Sequence, residues 1–263
     1  MNAALPVITA QPALSCLSLG PFGASLSPGQ EYGGLYPEPF GPHAGSPSKP
    51  GFPIAAGDAV PLPQVPVTGD EHEDALTAWH LQRLTHFGQS DAFDMIGMLA
   101  FETTPVLREV AAIRRALALF AAGRPGKPTQ PAYVSFVFPK DSEADGLKFA
   151  DVEHKGKTLS EQVDAIVAAA FADHKGQARI GGVGVNCTSP ILLGGVVAEL
   201  SRAVKSFPGE ATEEPWLVLC KLHFFDQLPV LEVLTSRPFL LMQTRTAGRC
   251  MTSSRGRGPT RPG

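Results

Sequence analysis

The sequence predicts an α/β protein whose strands run parallel, as a barrel or an open sheet. Short apolar segments alternate with longer amphipathic ones from Leu14 to Leu219, the pattern of repeated strand–helix units. The chain has 263 residues, and a complete eight-stranded α/β barrel takes about 250. Its hydrophobic content of 43% supports a sizeable core, while 25 Pro and 27 Gly require many turns and irregular stretches.

The first strand is placed at Leu14–Leu19 and is closed by Gly20-Pro21-Phe22-Gly23, where glycine allows a tight turn and a close approach to a ligand. A loop rich in Gly, Pro and Tyr follows. Residues 42–68 are dense in Pro, Gly, Ser and Ala and lack the apolar surface to offset their ordering entropy, which predicts disorder or a mobile flap. Asp70–Phe87 reads as a helix with acidic residues leading and Leu76, Trp79, Leu84 and Phe87 near one stripe. Its His72, His80 and His86 lack metal-ligand spacing and are expected to be solvated or to cap.

The segment DMIGMLAFET (94–103) reads as a buried strand, and a helix over 106–122 begins after Pro105 and closes at Gly123. Ala132–Phe138 is a strand rich in aromatic and β-branched residues. In the helix Lys157–Lys175, Thr158 and Glu161 have capping-box spacing. Strand Ile180–Cys187, helix Ile191–Phe207 and strand Trp216–Leu219 complete the alternation, giving five strands in all.

Composition narrows the function. A net charge of −3 gives no general drive toward nucleic acid or an anionic membrane. No apolar run approaches the roughly 18 residues of a spanning helix, and the N-terminus lacks a secretory pattern. Four Cys at no regular spacing point to reduced thiols, and the expected setting is the cytoplasm. The glycines of IGGVGVN precede and occupy a strand rather than opening a helix, so they form no dinucleotide loop. A thiol ending a strand, as Cys187 does, serves either as a small buried hydrophobe or as a soft-metal ligand; spacing alone leaves both open.

Three segments together, ALSCLSLGPFGA (13–24), DMIGMLAFETTP (94–105) and IGGVGVNCTSP (180–190), resemble the homocysteine S-methyltransferase family in order and separation. The resemblance runs over 13–219. It implies a partial (β/α)8 TIM-type barrel in which the five strands correspond to the third through seventh of eight. The implied activity is zinc-dependent transfer of a methyl group from S-methylmethionine or S-adenosylmethionine to homocysteine, forming methionine. The counterparts of the first two strands and of the eighth, with its Gly-Gly-Cys-Cys motif, are missing, so the chain reads as truncated at both ends.

The resemblance also assigns residues. Cys187 is one of three thiolate ligands to Zn2+, and Asn186 belongs to the substrate pocket beside it. Glu102 holds the ammonium of homocysteine by a charge-assisted hydrogen bond; the competing reading is a carboxylate capping the helix after Pro105. Thr103 and Thr104 are expected to act as backbone caps, and Ser135 either reaches the pocket or points into a barrel layer. The resemblance sets the loop holding Gln30-Glu31-Tyr32 beside the methyl-donor pocket, as part of its wall; the competing reading, favoured for any single residue there, is an ordinary surface loop. The two partner cysteines are absent: Cys250 offers one sulfur where two are needed, and neither Cys220 nor Cys16 replaces them by position. Weak or no zinc binding is therefore expected.

Residues 220–263 depart from the family pattern. From Val233 to the end there are six Arg and no Asp, Glu or Lys, and the stretch is expected to be an irregular basic tail arising from an altered reading frame. Without aromatics or a scaffold it is not expected to bind nucleic acid. Two alternatives to an active methyltransferase remain: a catalytically silent fragment or association-only paralogue, and a barrel enzyme without metal.

Overall fold

The computed structural model describes residues 15–43, 49–50, 62–138, 151, 156–207, 216–220 and 239–242. Within these the chain forms a parallel sheet of six strands: β1 (Cys16–Leu19), β2 (Met98–Thr104), β3 (Ala132–Phe136), β4 (Gly182–Val185), β5 (Trp216–Cys220) and β6 (Phe239–Met242). Every strand pairs with its neighbour in the chain, in the order β1-β2-β3-β4-β5-β6. An open doubly wound sheet would reverse direction at a switch point. Unbroken sequential order is that of a barrel wound in one sense, so the fold is a section of a (β/α)8 barrel.

Four helices fill the crossovers: α1 (Glu71–Phe87), α2 (Leu107–Ala122), α3 (Leu159–Phe171) and α4 (Pro190–Ser206). Their ends follow local chemistry. Asp70 caps α1 by accepting from Glu73 N–H, and the capping box between Thr158 and Glu161 is formed at α3. Pro190 opens α4, where its missing N–H costs nothing. Helix α2 has no side-chain cap at Val106; instead the carboxylate of Asp151 accepts from Leu107 N–H at 2.8 Å.

Strand alternation divides the core in two. Leu99, Phe101, Val134, Phe136, Val183 and Val185 face the helices and pack in the large cluster with Ile113, Val163, Ile166 and Val196. Met98, Ala100, Tyr133 and Val218, with Cys16 against them, line the other face, which is the barrel interior. On β4 that inner face carries Gly182 and Gly184. A Cβ at Gly184 would lie 2.2 Å from the carbonyl oxygen of Val218, so only glycine lets β4 and β5 approach this closely.

The structure differs from the sequence reading at three places. Within the stretch expected to be irregular, Phe239–Met242 pairs in parallel with Leu217–Cys220 as a sixth strand; four consecutive apolar residues suit a strand that continues a buried parallel sheet. The expected flap falls largely outside the described residues, but its last part is held: Arg115 donates to the carbonyl of Pro66 at 2.6 Å, and Thr68 bonds the carboxylate of Asp74. His80, expected at the surface, is 1% exposed, because it faces α2 and meets Glu109 there. No helix among the described residues is long and apolar enough to cross a membrane.

Candidate active site

At the C-terminal ends of β2, β3 and β4 a set of polar side chains converges, the end of a barrel where loops build active sites. Glu102 is the inward residue above Met98 and Ala100. Tyr133 donates to its Oε1 at 3.0 Å and Ser18 donates to its Oε2, so β1, β2 and β3 are tied together through one carboxylate. Glu102 therefore does not cap α2, and the capping alternative falls away.

The next residue, Thr103, has φ of +63°, a left-handed conformation that is uncommon for a β-branched residue. Its N–H donates to Asn186 Oδ1 at 3.0 Å, and Asn186 Nδ2 donates back to Thr103 Oγ1 at 2.7 Å. Ser135 also donates to Asn186 Oδ1 at 3.0 Å. The amide is thereby shared by β2 and β3 while it belongs to the end of β4. Thr103 is consequently no helix cap, nor is Thr104, whose buried hydroxyl has no hydrogen-bond partner among the described residues.

Cys187 follows Asn186 and also has positive φ, +48°. Its side chain is half-buried rather than sealed among aliphatic neighbours. Asn186 Nδ2 and Thr103 Oγ1 each donate to the sulfur at 3.6 Å. In the loop after β1, partial burial and then the neighbouring Cys187 push the Tyr32 pKa up to about 12. Below the site, Cys16 has its thiol pushed up to about 11, first by burial and then by the charge of Glu102.

The site thus joins Glu102, Asn186 and Cys187, the three residues singled out from the sequence, through the backbone and hydroxyl of Thr103. Ser18, Tyr133 and Thr103 were missed as contributors. Alternation on the strands was the available signal for the first two: Ser18 pairs with Ala100 and Tyr133 with the same residue, which puts both on the inner face beside Glu102. Nothing in sequence spacing announces the positive φ at Thr103.

A homocysteine S-methyltransferase family model matches residues 4–226. The chain belongs to the homocysteine S-methyltransferase family. No curated protein and no solved structure matches it significantly. Membership makes methyl transfer of the homocysteine S-methyltransferase type the activity of its relatives, and it accounts for the sequential parallel strands as part of a TIM barrel. The zinc that the family resemblance implies can be tested against the donors present. Among the described residues no group of three His, Cys, Asp or Glu side chains could hold a metal. Cys187 is a single soft donor whose hydrogen-bond partners are an alcohol and an amide, and this set does not fit a three-thiolate zinc site.

Proposed function

We propose that this pocket binds homocysteine beside a sulfonium methyl donor, S-methylmethionine or S-adenosylmethionine, for transfer of the methyl group to the homocysteine sulfur with formation of methionine. In that step the new S–CH3 bond forms as the old one breaks, and the bonding pair stays on the donor sulfur, which becomes a neutral thioether. A thiolate and a sulfonium cancel each other's charge in the transition state, so a site that excludes water favours it. The thiol proton must leave before or during attack, because only the thiolate is a competent nucleophile at neutral pH.

The observation that supports this reading is the joining of Glu102 to Cys187 through Thr103 and Asn186 at the C-terminal end of the strands. Glu102, oriented by Tyr133 and Ser18, would take the ammonium of homocysteine. Asn186, with both its amide hydrogens and its oxygen engaged by protein groups, would shape the pocket rather than grip the substrate. Cys187 would be the family's metal ligand, with the rest of its ligand set absent from the described residues.

That incomplete set favours a second reading: a catalytically silent member of the family. One experiment separates the two. Purified full-length chain is assayed for methionine formation from homocysteine with each donor, alongside zinc content by elemental analysis. Donor-dependent methionine formation that is lost in Cys187→Ser supports the first reading. Its absence in a folded chain, with zinc well below one per chain, supports the second. Zinc near one per chain contradicts the incomplete ligand set.

A further inference from the structure

At the N-terminal ends of β2 and β3, opposite the Glu102–Cys187 site, the helical layer opens into a depression. It encloses about 490 Å³, counting the space at its open mouth. One turn earlier on the same face of α2, Ile113 and Ala116 are completely buried, whereas Leu117 and Phe120 are each 8% exposed. The core thus reaches the surface toward the end of α2. Leu99 from β2 and Ala132 from β3 line the depression beneath them.

Its walls are fixed by the protein's own bonds. Ala178, on the link from α3 to β4, donates its N–H to the Arg114 carbonyl at 2.9 Å. The Ala178 carbonyl in turn accepts from the Arg114 guanidinium at 2.9 Å. On the α2 side, Lys127 N–H closes a turn on the Arg124 carbonyl at 3.1 Å, with Gly126 at a φ of +78°. Gln130 anchors the same loop by donating to the Phe93 carbonyl at 3.2 Å. A pocket with walls already in place has little ordering entropy to lose on taking a ligand.

The lining is apolar within and cationic at the mouth. Arg124, Lys127 and Arg179 belong to it, and among the described residues no Asp or Glu lines it. The Arg124 guanidinium lies over the Phe93 and Phe120 rings, 5.1 and 4.9 Å from their centroids, and pairs with Asp94. Lys127 Nζ meets the other oxygen of Asp94 at 2.7 Å, while half of its side chain stays exposed. Two cations share one carboxylate, so a positive charge is in surplus there. An ammonium has three donors, and Lys127 can keep Asp94 while meeting a second anion. Arg179, also exposed, stands on the α3–β4 side beside Ala178.

We propose that this depression binds a small amphipathic anion: a short apolar chain or ring lying on Leu117 and Phe120, with a carboxylate or phosphate-monoester head at Lys127 and Arg179. An apolar lining with a few polar groups at fixed places is the usual make-up of a small-molecule pocket. A neutral apolar molecule leaves the cations at the mouth unused, and a bare inorganic anion leaves the apolar lining in water. The site is at the other end of the strands from Glu102 and Cys187, so it does not depend on methyl transfer.

Isothermal titration of the full-length chain with octanoate, octyl phosphate and octanol tests the assignment, with inorganic phosphate as a head without a body. Octanoate or octyl phosphate is expected to bind one per chain, about tenfold more tightly than octanol, and the tighter of the two identifies the head. Added salt should weaken the anions and leave octanol unchanged. Hydrogen exchange should slow in peptides covering 117–132 and 178–181. Lys127→Met is expected to weaken the anions about fivefold with no effect on octanol. Ala121 lines the depression from α2 and is partly exposed, so Ala121→Leu fills the space from outside the core. It should weaken every octyl ligand about tenfold, while the smaller Ala121→Ser keeps binding.

The assignment is overturned by octanol binding as tightly as the anions, or by Ala121→Leu binding as the wild type does. It is equally overturned by the absence of saturable binding to the folded chain. Inorganic phosphate matching octyl phosphate would show an adventitious ion only. Loss or retention of methyl transfer bears on none of these readouts.

Discussion

Thr103 and Asn186 exchange hydrogen bonds across the top of β3: the backbone N–H of one donates to the amide oxygen of the other at 3.0 Å, and the amide nitrogen donates back to the hydroxyl at 2.7 Å. Together they join β2 to β4 over an intervening strand, and they lie between the carboxylate of Glu102 and the sulfur of Cys187. The positive φ of Thr103 is held by this exchange, since an unconstrained threonine would leave that region.

Asn186→Leu, close in size, removes every one of these bonds. Stability is expected to fall by about 2–4 kcal/mol, because the Thr103 N–H and the Ser135 hydroxyl lose their acceptor in a largely buried place. Thr103→Gly should cost less, since glycine adopts the required φ without strain and only the hydroxyl contacts are lost. Urea denaturation of both variants checks the order; a larger loss for Thr103→Gly would contradict it.

Glu102→Gln keeps the shape of the side chain and its bonding to Tyr133 while removing the charge. If the carboxylate takes the substrate ammonium, KM for homocysteine is expected to rise about 10- to 100-fold, the range of one charge-assisted bond, with little change in kcat or Tm. Isothermal titration with homocysteine gives the same answer without turnover. An unchanged affinity would remove Glu102 from the substrate.

The raised pKa of Cys16, about 11, has a consequence for pH stability. The folded chain binds this proton more tightly than the unfolded one does, so the contribution is complete below the ordinary thiol pKa. It is lost as pH rises from about 9 to about 11. Cys16→Ala should flatten the fall in urea midpoint across that window. At pH 8, Cys16 should also alkylate slowly and speed up as pH rises toward 11, because so little of it is thiolate below that.

Arg114 fixes the helical layer. Its guanidinium donates to the carbonyls of Ala169, Ala172 and Ala178 at 2.6–2.9 Å, capping the C-terminal end of α3 from α2. Arg114→Leu leaves those carbonyls without the donor and is expected to cost about 3 kcal/mol or more. Chemical denaturation measures it, and hydrogen exchange should localise the loosening to residues 168–178.

Much of this was legible in sequence. The alternation of elements, the capping box at Thr158 and the three motif segments put the strands, α3 and the trio Glu102, Asn186 and Cys187 in place, because each is a local pattern. What sequence hid depends on partners distant in the chain. His80 reads as a polar helix residue until Glu109 is seen facing it, 29 positions away, and the difference between a solvated and a buried histidine lies wholly in that partner. Thr103 reads as a cap because threonines before a Pro-led helix commonly are, whereas here Asn186 claims it from 83 positions away. The strand Phe239–Met242 was obscured by the arginines around it, which dominate composition over any longer window.

The left-handed turns at Thr103 and Cys187 bear on the order of assembly. An unfolded chain visits such conformations seldom at either residue, and at Thr103 the conformation is held by an amide that reaches it only when three strands are aligned. The shape of the pocket floor is thus a property of the assembled sheet and of no single strand–helix unit.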